Sequence, residues 1–179
     1  MRSLNVIGAC PYAEVRDDCH ALKAALSPWD PSVVRCAGYI TGQVGDCFLV
    51  PVPSHTGRAT HSLLLAREIC AQLRRKDRLC IVADILSAEP HRSLCEAKHS
   101  GDGTAGIDVK VVIRDKTGLG LLVRNHSRMP AFLVDNVVDT GKTARACMEA
   151  FPFDGIVAVG DTGAWRNTET EQKENNQQT

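Results

Sequence analysis

The stretch that most constrains the fold is Ala131 to Thr143, read as AFLVDNVVDTGKT. Four mostly apolar residues run into Asp135 and Asn136, two valines follow, and the run closes on Asp139, Thr140, Gly141, Lys142 and Thr143. An apolar run of this kind suits a parallel strand buried on both faces. Beyond it Ala144, Cys147, Met148 and Phe151 recur at helical spacing, so the segment reads strand, loop, helix. A loop so placed aims backbone N–H groups and the positive end of a helix dipole at whatever lies above the sheet, which makes it a phosphate cradle. Thr140 and Thr143 add hydroxyl donors, Gly141 lets the backbone approach closely, and Asp135 and Asp139 can face a polar substrate or a metal. An ordinary buried strand with a capping threonine accounts for the valines and Thr140. It does not account for Asp135, Asn136 and Asp139 together at a buried strand end, because unpaired buried charge is costly.

Gly141-Lys142-Thr143 has the ending of a P-loop, but that motif needs a glycine five positions before Gly141, where this chain has Asn136. An NTPase is set aside on that ground. The stretch resembles instead the phosphoribosyl pyrophosphate motif of the type I phosphoribosyltransferases: apolar residues, two acidic residues, two apolar residues and a short Thr-Gly-x-Thr loop. Val137 to Thr143 is especially similar to the version in the hypoxanthine-guanine phosphoribosyltransferases. The resemblance implies that Thr140, Gly141, Lys142 and Thr143 hold a 5′-phosphate, that Asp135 and Asn136 face the ribose hydroxyls, and that Asp139 lies near the purine N7. It also makes Asp135 the expected metal contact. Asn136 departs from the motif, since it can hydrogen-bond a ribose but lacks the charge that steadies a metal or a developing cation.

A chain of 179 residues suffices for one layered core. Its 21 basic residues balance 21 acidic ones, which gives no support for a nucleic-acid or membrane-surface binder. No apolar run approaches the ~20 residues of a membrane span, and the start turns acidic too soon for a signal peptide, so the expectation is a cytosolic protein. Eight cysteines stand singly with no CxxC pair and read as reduced, mostly buried thiols.

In chain order, residues 3 to 8 read as a short edge strand. Val15, Cys19, Leu22 and Leu26 mark one face of a helix that stops before Pro28 and Pro31, and Val33 to Ile40 reads as a strand. This opening carries no recognisable chemistry, although Trp29 and Tyr39 are able to stack on a flat ligand. Phe48 to Pro53 is a buried strand, followed by Ser54-His55-Thr56-Gly57-Arg58 and a helix with Leu63, Ala66, Ile69, Cys70 and Leu73 on its buried stripe. In the type I family a loop at this place binds the pyrophosphate leaving group, and VPVPSHTGR also resembles the competence-protein-type phosphoribosyltransferases. The resemblance thus assigns Ser54, His55, Thr56, Gly57 and Arg58 to pyrophosphate. Arg58 is the leading candidate, because a guanidinium forms two parallel hydrogen bonds to such a group. A capped helix with a solvated Arg58 is the simpler reading of the same residues.

Leu79 to Leu86 reads as the next buried strand, with Asp84 near its carboxyl end either facing a ligand or capping a turn. Glu89 to Gly106 is polar and ends in a glycine-rich run that matches GxGxxG in letters but not in context, since a strand follows it instead of preceding it. It reads as a lid, and in the family a flexible loop between core strands closes over the reacting centre there. Lys98, a catalytic candidate with Asp135 and Asp139, or Arg92, would then neutralise pyrophosphate. His91, Cys95 and His99 share a spacing of four, yet zinc would need a fourth ligand and none is evident.

Ile107 to Arg114 and Leu119 to Arg124 read as strands of a hairpin, and Gly155 to Gly160 as a last buried strand. Trp165 is a candidate wall for a base and equally a hydrophobic anchor for the tail. From Arg166 onward the chain is polar and reads as disordered.

The expectation is therefore an α/β protein with the type I phosphoribosyltransferase fold: a mostly parallel central sheet flanked by helices, with a small hood at residues 1–45, a core at 46–165, a flexible lid and a tail at 166–179. The resemblance covers about residues 46 to 163. It implies Mg²⁺-dependent transfer of 5-phosphoribosyl from phosphoribosyl pyrophosphate to a nitrogen of a nucleobase or related heterocycle, in a homodimer. The rival reading is a regulator that senses phosphoribosyl pyrophosphate or a nucleotide without turnover, which Asn136 favours.

Overall fold

A computed structural model describes residues 4–104 and 106–166, with the side chain of His99 excepted. Two short strands, β1 (Val6–Ile7) and β2 (Cys10–Pro11), lead into helix α1 (Tyr12–Ala24) and helix α2 (Pro31–Thr41). Strand β3 (Cys47–Pro51), helix α3 (His61–Arg74), strands β4 (Cys80–Val82) and β5 (Leu86–Ala88) and helix α4 (Leu94–His99) follow. Strand β6 (Val111–Ile113), helix α5 (Lys116–Asn125), strand β7 (Ala131–Val138), helix α6 (Lys142–Ala150) and strand β8 (Gly155–Asp161) complete the order.

The main sheet runs β1-β8-β7-β3-β4, with β2 also pairing β8, and every pairing in it is parallel. Strands β5 and β6 form a separate antiparallel pair. This is an α/β protein whose mostly parallel central sheet is flanked by helices on both faces. On one face Leu49, Val134, Val157 and Val159 meet α1, α2 and α3 through residues such as Leu22, Ile40 and Leu65. On the other, Phe48, Val50, Leu133 and Ile156 meet Leu122 of α5 and Ala144 and Cys147 of α6. Because both faces are covered, the central strands read as nearly unbroken apolar runs. Each fully buried Leu or Ile contributes roughly 1.5–3 kcal/mol.

The strand expected at Val33 to Ile40 is helix α2. Asp30 caps it, its carboxylate accepting from the Ser32 N–H at 2.9 Å, and Pro31 opens the first turn. Val33, Cys36, Ala37 and Ile40 form the buried stripe, so packing overrides the strand preference of the β-branched residues. Leu119 to Arg124 is likewise not half of a hairpin but part of α5. Asp115 caps this helix by accepting from the N–H groups of Thr117 and Gly118, and β6 pairs with β5 instead. The run Leu79 to Leu86 breaks after Val82: β4 lies in the main sheet, and β5 belongs to the other one. Leu26 is exposed beyond the end of α1.

The described part of residues 1–45 does not stand apart as a hood. Strands β1 and β2 extend the main sheet, and α1 and α2 cover one of its faces. The lid segment contains α4, capped by Ser93. All eight cysteines are unbridged, and six are buried. Among the described residues no helix is long and apolar enough to cross a membrane. The tail beyond Arg166 lies outside the described residues.

Candidate functional site

Parallel strands deliver their carboxyl ends to one edge of the sheet, and the chain between β7 and α6 crosses that edge in the turn Asp139 to Gly141. Gly141 is left-handed at φ +70°, and a Cβ there would stand 3.2 Å from Leu4 Cδ2 and 3.3 Å from Trp165 Cβ. Only glycine makes this turn without strain. Helix α6 has no capping side-chain bond at Gly141; the Lys142 N–H makes one long donation, 3.4 Å, to Thr140 Oγ1. The cavity is lined at the start of α6 by Thr140, Gly141, Lys142, Thr143 and Ala144, where the first N–H groups of a helix have no partner within the helix itself.

That cavity measures about 900 Å³. Asp135 and Asp139 both line it. Burial pushes the Asp135 carboxyl up to about 6, against the pull of the Asn136 N–H and of Lys23. Asp139 is held at both oxygens: Thr162 Oγ1 donates to Oδ1 at 2.9 Å, and Lys98 Nζ, from α4, donates to Oδ2 at 2.5 Å. Leu94, Cys95 and Lys98 bring the lid segment to the rim. Lys142 fastens its far arm, donating to the carbonyl oxygens of Thr104 at 2.5 Å and Ile107 at 3.2 Å.

The structure thus brings together Asp135, Asp139, Thr140, Gly141, Lys142, Thr143 and Lys98. It separates three other expectations from them. Asn136 does not reach the cavity, because neighbours on a strand point to opposite faces. Its amide is 1% exposed beneath α1 and donates to the Cys19 carbonyl at 2.9 Å, while its Oδ1 is buried without a partner. Trp165, the candidate wall for a base, does not line the cavity. It is 7% exposed in the core cluster below the sheet, with its indole N–H donating to Asp161 Oδ1 at 2.9 Å, so it anchors the chain after β8.

The loop Ser54, His55, Thr56, Gly57 and Arg58 does not line the cavity either. It is tied to the β5 side: the Ala88 N–H donates to Gly57 O at 2.9 Å and the His91 N–H to His55 O at 3.0 Å. Gly57, at φ +101°, lies so close to the Ala88 carbonyl that a Cβ would sit 2.9 Å from it. Asp84 is engaged by Arg114 in an ion pair and does not line the cavity.

Two contributors escaped the sequence reading. Arg145 clasps the turn from behind, donating to Thr140 O at 2.7 Å and to Trp165 O at 3.1 Å. Helix α1 also lines the cavity, through Tyr12, Arg16, His20 and Lys23. Their spacing of four, four and three is the signal that would have found them. Among the described residues no group of three or more His, Cys, Asp or Glu side chains could hold a metal ion. His91 and Cys95 are part of no such group, and the His99 side chain lies outside the described residues.

Comparison of the chain with family models, with curated proteins and with solved structures found no match.

Proposed function

We propose that this cavity binds phosphoribosyl pyrophosphate and that the protein transfers its 5-phosphoribosyl group to a nitrogen of a nucleobase or related heterocycle, on a type I phosphoribosyltransferase fold. The observation that carries the reading is the left-handed turn at Gly141. It opens the amino end of α6 into a cavity that also holds Asp135 and Asp139. A sugar phosphate needs just this pairing, an anion seat beside carboxylates that accept from hydroxyl groups.

In this reading the N–H groups of Gly141 to Thr143 and the threonine hydroxyls seat the 5′-phosphate, and Asp135 faces the ribose. The acceptor nitrogen forms a bond to C1′ as the bond from C1′ to the diphosphate oxygen breaks, and the diphosphate leaves with the electron pair. Asp135 stabilises the cationic character that develops on the ring, so the residues act mainly by position and charge. Asp139 takes the proton from the acceptor nitrogen once Lys98 releases it, and Lys98 is then free to meet departing negative charge. Mg²⁺ fits as part of the donor and not as a resident ion, because it binds phosphates with one or two carboxylates and keeps several waters. Asp135, which lines the cavity, would hold such an ion, and the chemistry the ion supplies is charge neutralisation of the leaving diphosphate.

The regulator remains the second reading, favoured by one observation: both oxygens of Asp139 are already engaged, by Lys98 and Thr162. Incubation with Mg²⁺, phosphoribosyl pyrophosphate and a panel of bases, following pyrophosphate release, separates the two. Release with at least one base supports the transferase, and tight donor binding with no release supports the sensor. A cytoplasmic homodimer belongs to the same proposal, and light scattering of the purified protein checks the subunit number.

A further inference from the structure

Arg145 stands in the first turn of α6, a place where the helix dipole disfavours a cation and where the turn carries no acidic residue. Its guanidinium is directed at backbone oxygens: Nη1 donates to Thr140 O at 2.7 Å and Nη2 to Trp165 O at 3.1 Å. The two carbonyls belong to separate segments, the turn after β7 and the chain after β8. A planar fork bridges them with two nitrogens at a fixed spacing, which a single ammonium does not offer.

The far end of this brace is itself anchored. Trp165 is buried, its indole N–H donates to Asp161 Oδ1 at 2.9 Å, and the Gly163 N–H donates to the same oxygen at 2.7 Å. Asp161 is the last residue of β8, so the sheet fixes Trp165 and Trp165 fixes the guanidinium. At the near end, the carbonyl and the following N–H of a trans peptide point to opposite sides. Holding Thr140 O therefore also sets the direction of the Gly141 N–H. The space against Gly141 is filled by the same two residues, since a Cβ there would stand 3.2 Å from Arg145 Nη1 and 3.3 Å from Trp165 Cβ.

We propose that Arg145 is a positioning residue of the turn: its guanidinium, anchored on Trp165 O, holds the Thr140–Gly141 peptide in the orientation that a bound phosphate group uses. The inference rests on the proposed function for the presence of a phosphate at Gly141. Arg145 acts through the backbone and touches no ligand.

Amide spectra of the unliganded ¹⁵N-labelled protein and calorimetric titration with ribose 5-phosphate test it on the parent, Arg145→Lys and Arg145→Gln. Lysine keeps the stem and the charge but not the fork, so it separates bracing from a simple positive field. In both variants the Gly141 amide resonance should move or broaden before any ligand is added, while the resonances of β3 stay in place. Ribose 5-phosphate should bind both about tenfold more weakly, because the turn must then be ordered on binding. Parent-like affinity in Arg145→Lys would overturn the proposal, since charge alone would suffice. So would an unmoved Gly141 resonance in both variants, or a moved resonance with parent-like affinity. If the parent itself binds no ribose 5-phosphate the proposed function falls, and the Gly141 resonance alone then decides whether Arg145 holds the turn.

Discussion

Lys98 Nζ and Asp139 Oδ2 meet at 2.5 Å although 41 residues separate them, and their contact joins the lid segment to the turn at the end of β7. The two side chains are 44% and 35% exposed, so the pair is worth no more than about 1 kcal/mol. A bond of that strength holds the lid without locking it. Lys98→Ala should leave the thermal midpoint within about 3 °C of the parent, and should speed amide hydrogen exchange across residues 93–104 by severalfold. Unchanged exchange would show that the pair does not hold the lid.

Asp139→Ala removes the group assigned to the acceptor proton while sparing the phosphate seat. Its kcat should fall by about a hundredfold or more, in line with general base catalysis, with the KM for phosphoribosyl pyrophosphate within a few fold. Equal losses in kcat and donor affinity would make Asp139 a binding residue.

Burial raises the folded-state value of Asp135 to about 6, against an ordinary carboxylate value near 4. Between those values the folded protein binds more protons than the unfolded chain, so stability falls as pH rises from about 4 to 6 and levels off above. Full expression of the shift corresponds to about 2–3 kcal/mol. Asp135→Asn should remove this slope and raise the urea midpoint above pH 7. A variant with the same slope as the parent would assign it to another group.

Asn136→Asp restores the acidic residue that the motif leads one to expect, yet it puts a carboxylate where the amide now donates to the Cys19 carbonyl. The substitution should cost about 3 kcal/mol or more at pH 7 and less in acid, where the new carboxyl is neutral. Ribose 5-phosphate affinity should not improve. Tighter sugar-phosphate binding at undiminished stability would mean that position 136 reaches the cavity after all.

How far the sequence could be read depended on which residues set each element. Strands β3, β7 and β8 are covered on both faces, so their apolar runs were visible without knowledge of the neighbours. Helix α2 was misread because Val33, Val34 and Ile40 suggest a strand, although Asp30-Pro31 is a helix start and the spacing 33, 36, 37, 40 is helical. Helix α5 carries Gly118 and Gly120 and buries only Leu122, so its one clear signal was the Asp115 cap. In the site, the turn Asp139 to Thr143 was legible because backbone conformation and local residue types define it. The orientation of Asn136, the burial of Trp165 and the α1 wall depend on contacts between distant segments. The Asn136 amide and the Cys19 carbonyl, which lie far apart in the chain, leave no mark in either segment alone.

The central claim is that the turn at Gly141 seats a sugar phosphate, and amide resonances report on it directly. Titration of ¹⁵N-labelled protein with ribose 5-phosphate should produce saturable shifts centred on the N–H groups of Gly141, Lys142 and Thr143. The Gly141→Ala variant, strained by roughly 1–2 kcal/mol in a left-handed turn, should lose them. Those three resonances staying in place in the parent protein at saturating ligand, or shifts clustered elsewhere, would contradict the account.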